Sequence, residues 1–122
     1  MKLRDKTIRV VLSREAEKVC RSLKGLERKI QGRNGMVILT SFERKIAIIK
    51  QSPGYEHSIS KDRIPRRYKG VGIKNLYRIE LPEYWRSLYT LQQGNSGVEV
   101  IAFVLTICTH AEYDVLFSYH KK

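Results

Sequence analysis

At 122 residues the chain is long enough for one hydrophobic core and too short for two, so a single domain is expected over 1–122. Hydrophobic residues make up 42% and charged residues 30%, which excludes a disordered or low-complexity protein. Lys plus Arg number 24 against 12 Asp plus Glu, and a net charge of +12 attracts RNA, DNA or the ribosome through counterion release; an ordinary basic surface, or one covered by an acidic partner, is the plainer account.

The opening residues 1–6 show no apolar core of a secretory signal. The longest apolar run, Val100 to Cys108, falls short of the roughly 20 residues that a bilayer requires, so a cytoplasmic protein without membrane contact is expected. Thr7 to Leu12 is β-branched and predicts a short strand. Ser13 is placed to cap a helix, with Glu15 and Glu17 in its first turn. Ala16, Val19, Cys20, Leu23, Leu26 and Ile30 then recur at helical spacing. After the break at 32–35, Met36, Leu39, Phe42, Ile46 and Ile49 predict a second helix to Lys50, ended by Ser52-Pro53-Gly54. Short connections make the two helices an antiparallel hairpin.

Tyr55 to Lys74 has no period. Its cations, Lys61, Arg63, Arg66, Arg67, Lys69 and Lys74, predict either a solvated loop or an arm that contacts nucleic acid. From Asn75 the period becomes two: Tyr77, Ile79 and Leu81 alternate with Arg78 and Glu80, and Pro82 stops the strand. Trp85, Tyr89 and Leu91 alternate in the next strand, a turn falls at 94–97, and Val98 to Ile107 predicts a central strand covered on both sides. Thr109-x-x-Glu112 has capping-box spacing, so a last helix should run from His110 to about Tyr119. The class is therefore α+β: a small antiparallel sheet, a helical hairpin on one face and a short C-terminal helix.

Chemistry concentrates at the strand and helix ends. His110 would sit at a helix N-terminus, where backbone amides and the helix dipole suit a phosphate and favour a neutral imidazole. Tyr113 lies one turn on, and Arg86 with Arg78 would grip phosphoryl oxygens. Cleavage of RNA by its 2′-hydroxyl needs a base, cations for the charge on phosphorus and an acid for the leaving oxygen, and these residues can supply them. The plainer account has His110 as a cap, Tyr113 as a half-buried ring, and Arg86 stacked on rings or paired with Glu80. No cofactor or metal is expected: there is no phosphate-binding glycine loop, and the cysteines and histidines fit no zinc spacing. Cys20 and Cys108 are expected as buried, reduced thiols.

The segments Asn75 to Leu81, Tyr84 to Tyr89 and Val104 to His110, with the tail His110-Ala111-Glu112-Tyr113, resemble the RelE/ParE toxin superfamily over nearly the whole chain. The resemblance implies a toxin that cuts mRNA on the ribosome and is held inactive by a cognate antitoxin protein. It implies an active site at Arg78, Arg86, His110 and Tyr113, with Glu80 as an accessory group. Where RelE-type members often carry two lysines in the second strand, this chain has Arg78 and Glu80. ParE-like members poison DNA gyrase without RNA chemistry, and a toxin that has lost activity but keeps its antitoxin is a third possibility.

Overall fold

The computed structural model describes residues 7–29, 33–54, 57–94 and 99–118. Expectations that concern the side chain of Leu26, or Ile30, the turn residues 95–97 and Tyr119, lie outside what is described. The elements run β1 (Thr7–Leu12), α1 (Arg14–Lys29), α2 (Arg33–Gln51), β2 (His57–Ser58), a 3-10 turn (Lys61–Arg63), α3 (Arg66–Lys69), β3 (Tyr77–Leu81), β4 (Trp85–Gln93), β5 (Glu99–Thr109) and α4 (His110–Ser118).

Five strands form one sheet in the order β1-β5-β4-β3-β2. The α+β class and the hairpin hold, but the sheet is mixed rather than wholly antiparallel, because β1 pairs parallel with β5. A parallel neighbour needs a crossover connection, and α1 with α2 provides part of it over one face. Side-chain period reports which face a residue occupies and carries no strand direction, so this pairing was not in the pattern.

The two faces carry different cores. Ala16 and Leu23 of α1 and Ile38, Leu39, Phe42 and Ile49 of α2 pack on Ile79, Leu81, Tyr89, Val104 and Ile107. Adjacent strand residues point opposite ways, so Leu88 and Cys108 face the other side. There they meet Ile64, Tyr68, Ile73 and Leu76 and, from α4, Tyr113 and Phe117. The segment expected as loop or arm is thus a packed cover, held by widely spaced apolar residues that show no period. Its cations Lys61, Arg63, Arg66, Arg67, Lys69 and Lys74 are exposed around that anchor.

Local contacts fix the elements. Ser13 Oγ accepts the Ala16 N–H (3.0 Å) and donates to Leu105 O (2.8 Å), so one hydroxyl caps α1 and ties it to β5. The buried Tyr89 hydroxyl donates to Pro53 O (2.6 Å), holding the end of the hairpin on the sheet. Asn75, two residues before β3, pairs with β4 through its side chain: Oδ1 accepts from Leu91 N–H (2.7 Å) and from the Thr90 hydroxyl (2.9 Å), while Nδ2 donates to Leu91 O (3.0 Å). The β3–β4 turn holds Glu83 and Tyr84 at φ 60° and 61°, closed by Trp85 N–H donating to Pro82 O (3.2 Å). Two positive φ values in a hairpin turn are the type I′ sign pattern, which Asn and Gly normally fill; side-chain-bearing residues there cost about 1 kcal/mol each.

Candidate active site

The register of β3 and β4 sets the site. Glu80 stands opposite Arg86 and Arg78 opposite Leu88, so all three charged residues share the face away from the α1–α2 hairpin. Cys108 opposes Arg86 on β5, bringing the start of α4 alongside. Glu80 bridges the arginines: Oε2 lies 2.8 Å from Arg78 Nε and Oε1 3.3 Å from Arg86 Nε. The Arg86 contact is a directed hydrogen bond. The Arg78 Nε–H misses the carboxylate despite its closeness, so that contact is ionic and the buried Nε has no hydrogen-bond acceptor.

α4 closes one side of this cluster. Its start is fixed by the reciprocal cap foreseen from spacing: Thr109 N–H donates to Glu112 Oε1 (2.8 Å) and Glu112 N–H to Thr109 Oγ1 (3.1 Å). This places the Tyr113 ring 4.5 Å from the Arg86 guanidinium carbon, a cation–π contact, and stacks it on Phe117 at 4.4 Å. The Arg78 guanidinium is pushed above its ordinary range by hydrogen bonding to the Tyr113 hydroxyl, against desolvation, with the Glu80 carboxylate adding to the rise. Both plainer accounts of Arg86, ring stacking and pairing with Glu80, therefore hold together with its position beside a second cation.

Contacts join Arg78, Glu80, Arg86 and Tyr113; His110 is paired elsewhere. It opens α4 as expected, its N–H donating to Tyr84 O (2.7 Å), but its Nε2 lies 3.4 Å from Asp114, one turn along the same helix. The His110 side chain is 47% exposed, against 29% for Arg78 and 21% for Arg86. Tyr113, expected half-buried, is buried. Of the exposed cations, Arg67 is tied to Glu15 (3.7 Å) and lies over the Tyr68 ring.

Two clefts lie away from this cluster. One of ≈ 330 Å³ is lined by Glu15, Arg67, Tyr68, Thr106, Cys108 and Glu112 among others; the second, ≈ 350 Å³, lies between β1 and the hairpin. Among the described residues no group of His, Cys, Asp and Glu is set to hold a metal ion, and no helix is long and apolar enough to cross a membrane. Cys20 is partly and Cys108 wholly buried, and both are free thiols.

A helical hairpin on one face of this mixed sheet, with a short helix closing the chain, is a RelE-like fold. Among solved structures the chain is similar to the E. coli toxin RelE, in the free state of a double arginine-to-alanine variant, with 19% identity over 92% of each chain and a TM-score of 0.52. No family model and no curated protein matches the chain.

Proposed function

We propose that this chain is a RelE-like toxin that cleaves single-stranded mRNA on the ribosome, cytoplasmic and neutralised by an antitoxin protein. One observation carries the reading: the β3–β4 register aligns two guanidinium groups on the sheet face that the hairpin leaves open. In the reaction the 2′-oxygen attacks phosphorus and the bond to the 5′-oxygen breaks. One proton leaves the 2′-hydroxyl and another reaches the departing oxygen. Arg86 and Arg78 take the negative charge that builds on the phosphoryl oxygens, displacing Glu80 from between them. His110, half-exposed at the head of α4, transfers a proton once its ring leaves Asp114. Tyr113 is buried with its ring against Arg86, which suits orientation of that cation better than proton donation. The exposed Lys61, Arg63, Arg66, Lys69 and Lys74 would follow the RNA backbone.

A second reading rests on the same cluster. Glu80 occupies both arginines and His110 turns to Asp114, an arrangement that also suits a non-catalytic relative acting on gyrase or retaining only its antitoxin. Expression of wild type, Arg86→Ala and His110→Ala with mapping of ribosome-bound mRNA ends separates the two. Cuts made by wild type and lost in both variants are expected. Growth arrest with intact mRNA and altered supercoiling would move the assignment to gyrase, and no effect in either assay to the inactive form.

A further inference from the structure

The β3–β4 turn keeps two consecutive residues with side chains, Glu83 and Tyr84, in left-handed backbone. Its sequence, Pro82-Glu83-Tyr84-Trp85, has neither the Asn nor the Gly that such a turn normally selects. Two hydrogen bonds hold the conformation: Trp85 N–H to Pro82 O (3.2 Å), and His110 N–H to Tyr84 O (2.7 Å). The second joins the turn to the first residue of α4. At its tip the Tyr84 residue is 83% exposed, so packing within the chain does not account for a large ring there. A disfavoured backbone that projects an unburied aromatic is the kind of local cost that persists for a ligand.

What surrounds the tip names the ligand. Glu83, Arg86 and His110 are polar neighbours along the chain and across the hydrogen bond; of the other large exposed apolar residues described, Val37 and Ile48 lie on α2, Val71 beyond α3, and Val115 on α4 more than a turn past His110. A protein partner would ask for a wider apolar patch. Arg86 follows two residues later, about 7 Å from Cα to Cα across the extended Trp85, a backbone spacing that matches one nucleotide. Proteins that hold single strands combine these two features, the cation on phosphate and the ring on a base.

We propose that Tyr84 is a stacking platform for a nucleobase of single-stranded RNA whose phosphate Arg86 and Arg78 hold. The inference rests on the ribonuclease reading above and adds a positioning residue to it. Stacking would fix the nucleotide relative to the guanidinium pair, and because every base has a π-face it would do so with little sequence preference.

The test uses an uncleavable 2′-O-methyl oligonucleotide carrying 2-aminopurine, titrated against the full chain. Wild type should bind and quench the fluorophore. Tyr84→Ala and Tyr84→Gly should each lose roughly tenfold to a hundredfold in affinity together with the quenching, while Tyr84→Phe and Tyr84→Trp retain both. The slope of affinity against salt should stay at the wild-type value in all four, since no phosphate contact is removed. Tyr84→Gly should also melt higher than wild type, because glycine relieves the left-handed strain, which separates lost stacking from lost folding. Tyr84→Ala binding like wild type, while Arg86→Ala binds weakly, would overturn the platform and leave the ribonuclease reading standing. A changed salt slope in Tyr84→Ala would overturn it too, by showing that Arg86 had moved. Absence of oligonucleotide binding by wild type, together with intact ribosomal mRNA, would remove both.

Discussion

The two faces of the sheet are built from alternate residues of the same strands, yet they do different things. Ile79, Leu81 and Tyr89 meet an unbroken apolar layer from α1 and α2. One residue away, Arg78, Glu80 and Arg86 lie on a face that α3, its flanking segment and α4 cover only in part. Period-two alternation lets one hairpin supply a dry core on one side and a charged cluster on the other, so each function can vary with little penalty to its neighbour. The comparison teaches that the hairpin side is closed by a continuous apolar layer, while the other side pairs a smaller core with a partly open charged cluster.

The largest effects should break that division if it is wrong. Ile79→Ala, at a fully buried position under the hairpin, should lower unfolding free energy by about 2–5 kcal/mol in urea titration, while the folded fraction keeps its RNA affinity. Arg86→Ala should do the reverse. Ribosomal mRNA cleavage should fall by roughly a hundredfold or more. Its unfolding free energy should change by less than about 1 kcal/mol, since the Glu80 pair is partly exposed and screened. A fall in stability as large as that of Ile79→Ala would mean the open face is structural after all.

Smaller effects sharpen the picture. Glu80→Gln removes the carboxylate between the arginines and should tighten oligonucleotide binding severalfold at low salt, an advantage that fades as salt rises. Weaker binding would assign Glu80 a direct part in holding RNA. The two thiols offer a comparison of the faces by pH. Burial first, then the Glu112 and Glu15 carboxylates, pushes the Cys108 thiol up to about 12 against the pull of Arg86, while Cys20, on α1 of the hairpin, is raised by burial and then Glu43. In the unfolded chain a thiol ionises near pH 8.5. Above that value the unfolded state sheds a proton that folded Cys108 keeps, so this share of stability is complete below about pH 8.5 and is lost as pH rises toward about 12. Urea titrations at about pH 7.5 and about pH 10.5 should show a smaller decline in Cys108→Ala than in wild type, and a weaker sparing effect in Cys20→Ala because that thiol is only partly buried.

Much of this arrangement is legible in the amino-acid sequence. Helical spacing located α1 and α2, although α2 opens at Arg33 rather than Met36. Thr109 and Glu112 located the start of α4, and the alternation of Tyr77, Ile79 and Leu81 put Arg78 and Glu80 together on the opposite face. Three things were not legible, each for its own reason. The parallel pairing of β1 with β5 leaves no trace in side-chain period. The cover from 57 to 76 is anchored by Ile64, Tyr68, Ile73 and Leu76 at irregular intervals, so its packing has no repeat to detect. Tyr84 carries no turn signal, because the residues that announce a left-handed turn are missing from it. The expected convergence of the arginines with Tyr113 is present, but the contact of His110 with Asp114 one turn on depends on side-chain rotamers that spacing does not report.

The Asn75 amide has a consequence for how the molecule behaves in a crowd. Beyond the start of β3, the long strand β4 would present a bare peptide group at Leu91 to any passing chain, and Asn75 occupies both its N–H and its C=O. One carboxamide thus imitates a backbone partner and blunts a place where foreign strands could add, the route by which unguarded sheet margins seed fibrils. For a chain of net charge +12, such a stopper adds a local guard to the charge repulsion that already keeps copies apart.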